Sequence, residues 1–215
     1  MTLHKHPHTL TVLVLIFLSL LLFFFAIIAP VNSFDFAITR TIQSAQTPLL
    51  TTIMVFISVF GEPELLIAGT CGMMLIFIIA KEYREAKYLL LTLAAYPISV
   101  FIKFMIDRPR PITVHVPQLG ISLYDPSFPS AHVLHYTIFF GFLLIVLAHS
   151  NRLPGVIRFP LMIVSALLIV FIPISRIYLG AHWFTDTLGG YTVGLLMLYI
   201  LYHYYWTERT TSRRK

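Results

Sequence analysis

The residues of this chain that are suited to chemistry form three short polar clusters in an otherwise apolar sequence. The clusters occupy 103–111, 129–132 and 175–186, and they contain cations, two histidines and one carboxylate at the ends of apolar stretches. Charged groups at such places in a membrane protein are solvated, paired or functional. Together the three clusters indicate a site that handles phosphate.

Three cations and one serine are candidates for binding that phosphate. Lys103, Arg110 and Arg176 supply positive charge, which a phosphate dianion and its more highly charged transition state require. Ser130 stands where a helix is expected to begin, so its hydroxyl and the backbone N–H groups that follow are suited to hold phosphate oxygens. The alternative is that the cations only anchor the topology. Three cations beside two histidines on one face favour phosphate binding.

Two histidines and one carboxylate are candidates for catalysis. His182 and Asp186 are four residues apart, a spacing that places both on one face of a helix. The carboxylate is then able to accept the proton of one imidazole nitrogen, which leaves the other nitrogen free as a nucleophile towards phosphorus. His132 is suited to protonate the leaving alcohol, and such a general acid contributes roughly 10²- to 10⁴-fold.

The acidic residues argue against a metal-dependent reaction. The chain has nine acids, and no Asp, Glu and His residues are crowded together as two-metal catalysis requires. No glycine-rich phosphate loop is present. The sequence therefore predicts a reaction without metal or cofactor.

Composition indicates an integral membrane protein. Of the 215 residues, 58% are hydrophobic and 11% are charged, against about 25% charged in soluble domains. The net charge of +6 does not indicate a nucleic-acid partner, because the basic residues are dispersed to membrane-flanking positions and to the clusters. The single cysteine excludes an internal disulfide.

The apolar stretches predict an all-α polytopic fold, a single domain over 1–215 with six transmembrane helices. The first stretch, 9–29, is about 31 Å long as a helix and crosses a bilayer, whereas a signal peptide has a shorter apolar core. The segment 32–61 mixes charge with apolar residues, and we predict that it lies at the interface or is half-inserted. The six predicted spans are about 9–29, 63–80, 88–106, 131–148, 159–174 and 184–206.

The distribution of basic residues sets the predicted orientation. With six spans and a cytoplasmic N-terminus, the outer side holds Arg40, Lys103, Arg108, Arg110 and Arg176. The cytoplasmic side holds Lys5, Lys81, Arg84, Lys87, Arg152, Arg158, Arg209, Arg213, Arg214 and Lys215. This is the positive-inside pattern, and it places all three clusters on the outer face and both termini in the cytoplasm.

The three clusters resemble the signatures of the type 2 phosphatidic acid phosphatase superfamily. Lys103 with Arg110-Pro111 matches K-x6-R-P, 129–132 is similar to P-S-G-H, and 175–186 matches S-R-x5-H-x3-D. Alanine stands at position 131 where the family has glycine. In a helix the extra methyl group costs little, whereas at positive φ it strains the backbone by roughly 1–2 kcal/mol.

The resemblance implies a role for each site residue. It implies that His182 forms a phosphohistidine and is held by Asp186, and that His132 protonates the leaving group and later activates water. It also implies that phosphate is bound by Lys103, Arg110, Ser130, Arg176 and the backbone N–H of Ala131.

The function expected from residues and resemblance together is a metal-independent lipid phosphatase in a bacterial cytoplasmic membrane. Family members of this size act on phosphatidylglycerophosphate, phosphatidic acid or undecaprenyl pyrophosphate, and the sequence does not choose among them. A lipid phosphotransferase and a non-catalytic lipid transporter or binding protein remain as alternatives, and a homodimer is left open. For Glu62 and Glu64, helix capping is favoured over contact with a headgroup.

Overall fold

The computed structural model describes residues 7–111, 125–150 and 153–212, and in these ranges all regular structure is helical. The helices are α1 (Pro7–Ile28), α2 (Ser33–Gln43), α3 (Pro48–Val59), α4 (Pro63–Ile79), α5 (Tyr83–Leu91), α6 (Ala95–Ile106), α7 (Ala131–Ala148), α8 (Gly155–Tyr178) and α9 (Phe184–Ser212), with a 3-10 turn between α5 and α6. The basic residues outside the described ranges are Lys5, Arg152, Arg213, Arg214 and Lys215.

The prediction of an all-α membrane protein is confirmed, with changes to individual spans. Within the described residues, five helical stretches have the length and composition of a membrane span: α1, α5 with α6, α7, α8 and α9. The bent pair of α2 and α3 is a sixth candidate. The predicted second span corresponds to α4, whose 17 residues rise about 26 Å, less than the ~30 Å of a hydrocarbon core.

The charged segment 81–87, which lies between the predicted spans 63–80 and 88–106, is mostly helical and not a connector. The chain is helical from Tyr83 onwards, because the charged groups find partners inside the fold. Glu85 accepts hydrogen bonds from Arg84 (2.9 Å) and from the hydroxyl of Tyr205 on α9 (2.9 Å). A carboxylate satisfied in this way does not have to end the helix.

The fifth predicted span, 159–174, is part of a longer helix, α8. The prediction stopped at the polar pair that begins with Ser175, yet the helix continues through it to Tyr178. Ser175 Oγ donates to the carbonyl of Met54 on α3 (2.6 Å), and the Tyr178 hydroxyl shares a hydrogen bond with Thr51 (2.8 Å). The polar end of α8 is therefore packed against α3 and not exposed.

The segment 32–61 forms two helices that meet at a bend of 119°. Asn32 caps α2 by accepting a hydrogen bond from the backbone N–H of Asp35 (2.9 Å), and Thr47 caps α3 by accepting one from Leu50 (3.2 Å). These caps account for two separate helix starts within one segment. Its placement at the interface or half-inserted stays a prediction.

The core of the fold is α7, which packs most extensively against α9 and α8. Two glycines of α9 allow this approach. A Cβ atom at Gly190 would lie 2.7 Å from the carbonyl oxygen of Ser130, and one at Gly194 would lie 2.8 Å from Thr137 Cβ. Small residues at such positions let helix backbones approach closely in membranes. Here the close approach is internal to the chain.

Gly190→Ala is expected to lower the stability of the folded protein by about 1–3 kcal/mol, because the added methyl group overpacks a backbone contact. The measurement is thermal unfolding in detergent. Gly72→Ala on α4 is the matched control, since no atom lies within 4 Å of a Cβ there, and it should not reduce the melting temperature. Equal melting temperatures for the two variants would contradict the close packing of α7 on α9.

Candidate active site

The first cluster begins in the last turn of α6 and continues into the loop that follows. Lys103 lies in that last turn, and the left-handed conformation of Asp107 (φ 48°) ends the helix. Arg110 is buried and is held by two carbonyl oxygens: Nε donates to Asp125 and Nη1 to Ala181, each at 2.8 Å. These contacts place Arg110 against the turn between α8 and α9.

The second cluster forms the start of α7. Ser130 occupies the N-cap position, and its backbone N–H donates to the carbonyl of Asp186 (3.0 Å), which joins this cluster to α9. Ser130 Oγ is buried and has no hydrogen-bond partner among the described residues. Ala131 is the first helical residue, and its φ is not positive. The methyl group at 131 therefore imposes no backbone strain.

The third cluster spans the end of α8 and the turn before α9. Arg176 is buried, and its Nη1 donates to Ser58 Oγ on α3. Gly180, with φ of 67°, provides the positive φ that the turn requires, which is costly for other residues. His182 follows in this turn and is 2% exposed.

These elements enclose one cavity of about 590 Å³. It is bounded by α4, α6, α7 and the end of α8, and part of its wall is apolar. Six of the eight predicted site residues line it, while Ser130 and Asp186 are fully buried. The six are Lys103, Arg110, Ala131, His132, Arg176 and His182.

The geometry of His182 and Asp186 differs from the prediction. His182 precedes α9 and does not lie in the helix. Its Nδ1 is 3.6 Å from Asp186 Oδ2, too far for a hydrogen bond. Asp186 Oδ2 instead accepts the backbone N–H of Trp183 (2.8 Å), as an acid in a first helical turn commonly does. The carboxylate still faces Nδ1, so Nε2 is the nitrogen left for chemistry.

Burial and the nearby cations favour the neutral form of His182. Burial, and then the positive charges of Arg110, Arg176 and Lys103, lower the pKa of His182 well below its ordinary value. Asp186 does not reverse this effect, because its carboxylate is shared with a buried arginine. A neutral imidazole has the free lone pair that a nucleophile needs.

Sequence reasoning missed the role of Glu62, for which helix capping was favoured. Glu62 occupies the N-cap position of α4 but makes no side-chain cap. Its Oε1 lies 3.4 Å from His132 Nε2 and 4.0 Å from Arg176 Nη1, because these groups attract the carboxylate into the cavity. His132, and then Arg176 and Arg110, lower the pKa of Glu62, although partial burial acts in the opposite direction.

Gly61 is required beside this histidine. A Cβ atom at Gly61 would overlap the imidazole ring of His132. The start of α4 thus packs against the candidate general acid, and the acidic sequence Glu62-Pro63-Glu64 was the available signal for this contact.

Arg108 was also missed as a site residue. It was counted only as an outer cation, but it is 1% exposed and forms ion pairs with Asp35 and Asp186. The signal was present in the chemistry, since a buried carboxylate such as Asp186 requires a cationic partner.

With respect to metals, the described residues contain no group of three or more His, Cys, Asp or Glu able to hold an ion.

Comparison with known proteins gives the family. A family model described as the PAP2 superfamily matches residues 84–210, more than half of the chain. Phosphatidylglycerophosphatase B of Bacillus subtilis (strain 168) is 29% identical over 194 residues, which cover 84% of this chain and 91% of that protein.

Two solved structures share the fold. The transmembrane PAP2 type phosphatidylglycerolphosphate phosphatase of Bacillus subtilis has a TM-score of 0.76 and 25% identity, and the match covers 90% of this chain and 95% of that one. LpxE of Aquifex aeolicus has a TM-score of 0.61 and 22% identity, over 80% of this chain and 96% of that one. The family match, the apolar helices and these likenesses agree: the chain belongs to the PAP2 superfamily and is an integral membrane phosphatase.

Proposed function

We propose that this protein removes a terminal phosphate from a membrane lipid through a phosphohistidine at His182, without a metal ion. The observation that carries the proposal is the meeting of two histidines and three cations in one cavity, where burial and the cations lower the pKa of His182. These groups come from three separate parts of the chain. An arrangement of cations around a nucleophile stabilises the charge that develops during phosphoryl transfer.

In the first step, the lone pair of His182 Nε2 attacks phosphorus and a P–N bond forms. The P–O bond to the lipid breaks, and the departing oxygen takes a proton from His132. In the second step, His132 takes a proton from water, the water oxygen attacks phosphorus, and the P–N bond breaks. Inorganic phosphate leaves, and His182 is again neutral. Asp186 faces Nδ1 throughout and stabilises the charge that the ring acquires.

Phosphate binding is assigned to the groups around the nucleophile. Lys103, Arg110 and Arg176 surround the cavity next to His182. Ser130 Oγ and Arg176 Nε are buried without partners in the described part of the chain, and phosphate oxygens are acceptors for both. The backbone N–H of Ala131 lies at the positive end of α7, which favours an anion.

The cavity also accounts for a lipid substrate. Leu66 on α4 and Tyr96 and Val100 on α6 line the same space as the cations, so a polar head and an apolar chain are accommodated together. The likeness to phosphatidylglycerophosphatase B favours phosphatidylglycerophosphate, with phosphatidic acid and undecaprenyl pyrophosphate as the other candidates. We place the protein in a bacterial cytoplasmic membrane with the site on the outer side and both termini in the cytoplasm.

The test is phosphate release by the purified protein in detergent with EDTA, from the three lipids in parallel. Release that resists EDTA and is absent in His182→Ala supports the proposal, and the fastest lipid identifies the substrate. Labelled phosphate on a second lipid would show a phosphotransferase instead. No release from folded protein that still binds the lipids would favour a transporter or binding protein.

Glu62→Gln is expected to strengthen competitive inhibition by inorganic phosphate about three- to tenfold. The carboxylate lies beside His132 and Arg176, so it competes with a phosphate dianion for the positive charge of the site. Two unit charges about 4 Å apart near a protein surface interact by about 4 kcal/mol, but solvent reduces this energy for Glu62, since its side chain is 36% exposed. The measurement is the inhibition constant of phosphate. Glu64→Gln is the control, because Glu64 lines the same cavity. An unchanged or weaker inhibition in Glu62→Gln would contradict the expectation.

A further inference from the structure

A buried charge network lies behind the cavity and does not line it. It consists of Arg108, which follows α6, with Asp35 on α2 and Asp186 on α9, and the side chains of all three are 0% exposed. Two carboxylates thus share one guanidinium in the interior. Burial of charge is costly unless every group is paired and hydrogen-bonded.

Arg108 uses all three of its nitrogens. Nε donates to the carbonyl of Pro30 (2.9 Å), and Nη2 donates to Asp35 Oδ2 (2.7 Å). Nη1 donates to Thr185 Oγ1 (2.7 Å) and to Asp186 Oδ1. A planar guanidinium held at three sides has a single orientation, and this orientation fixes the position of Asp186 Oδ1.

Asp35 completes the network from the other side. Its Oδ1 accepts the backbone N–H of Thr185 (2.9 Å), and its Oδ2 accepts the Thr185 hydroxyl (2.6 Å) and the Asn32 amide (2.8 Å). Asp35 therefore holds both Arg108 and the first turn of α9. It is the only carboxylate besides Asp186 that contacts Arg108 among the described residues.

Asp186 connects this network to His182. With Oδ1 bound to Arg108 and Oδ2 bound to the Trp183 N–H, the carboxylate of Asp186 cannot rotate, and Oδ2 remains 3.6 Å from His182 Nδ1. We propose that Arg108 and Asp35 are positioning residues of this active site, which act on the nucleophile by fixing Asp186. This inference rests on the proposed function of His182.

The test compares Arg108→Lys and Asp35→Asn with the parent protein. Lysine at position 108 keeps the charge but cannot make the forked contacts of a guanidinium. Asparagine at position 35 replaces one acceptor oxygen with an NH2 group, which then faces a hydrogen-bond donor. Asp107→Asn is the matched control, because it removes a neighbouring carboxylate that is exposed at a left-handed position that asparagine tolerates. We expect kcat to fall roughly 10- to 100-fold in the two network variants, as for a misplaced reacting group, and to be unchanged in the control.

Ligand binding separates positioning from a general loss of structure. Inorganic phosphate depends on the cations, so its affinity should stay within about twofold. Orthovanadate forms a five-coordinate mimic of the transition state on the nucleophile, so its affinity should fall in parallel with kcat. Asp35→Asn is the milder change, and it provides the test by itself if the Arg108→Lys protein does not fold.

Normal kcat in folded Asp35→Asn would overturn the inference, and so would a parallel loss of phosphate and vanadate binding. The His182→Ala variant is measured beside them. If it is inactive while the network variants are fully active, only the positioning role is lost. If it is active, the proposed function itself fails.

Discussion

His182→Ala is expected to lower phosphate release roughly 10⁴-fold or more, because loss of a nucleophile removes the covalent route altogether. The imidazole is buried beside Arg110 and Arg176, whose charges favour its neutral form. Phosphate affinity should change little, since the cations remain. The measurement is initial rate and phosphate affinity on the same preparation.

Two further results accompany this prediction. The parent protein, quenched during turnover of a labelled substrate, should carry label that acid removes and alkali does not, as a phosphoramidate does. His203→Ala is the matched control, because it removes an exposed histidine of α9 far along the chain from the site. Covalent label that persists in His182→Ala would contradict the assignment of the nucleophile.

His132→Ala is expected to lower hydrolysis of an alkyl phosphate by roughly 10²- to 10⁴-fold, the usual contribution of a general acid. An aryl phosphate with the same chain length should be affected much less in its first step, because a phenolate leaves without a proton. Slow attack by water should then make the phosphoenzyme accumulate, so the aryl substrate should give a burst of phenol. The measurement is pre-steady-state release of each leaving group.

The control for this variant is one turn away on the same helix. His135 lines the same cavity and stacks on Phe139, with ring centroids 5.4 Å apart, but no role in proton transfer is assigned to it. His135→Ala should retain the ratio of alkyl to aryl rates. An equal loss on both substrates in His132→Ala would mean that His132 acts by binding and not by protonation.

The meeting of the three clusters was predictable because each stands at the end of an apolar stretch. The count of spans predicted that one membrane face carries Lys103, Ser130 and Arg176, which lie in the last turn of α6, at the start of α7 and near the end of α8. Residue type and spacing alone were enough for this. The backbone conformation of Ala131 was left open by the sequence, and the structure makes it the first helical residue of α7.

The contacts made by the first third of the chain were not predictable in the same way. Asp35 lies on α2 and Glu62 directly precedes α4. The path of the chain between them depends on the bend of 119° between α2 and α3, and no local pattern sets that angle. Likewise, Arg108 and Arg110 are separated by a single proline, yet one pairs with buried acids and the other lines the cavity. Partners that are distant in sequence decide which arginine pairs with buried acids and which lines the cavity.

The position of these contacts along the chain has an evolutionary consequence. Asp35, Ser58 and Glu62 all precede residue 84, where the family match begins, but each touches a residue of the three motifs or their supporting network. The motif residues and part of their surroundings thus lie in separate parts of the chain. Recombination that replaced residues 1–83 with those of a relative lacking an acid at position 62 would change the charge beside the phosphate site and leave every motif residue in place.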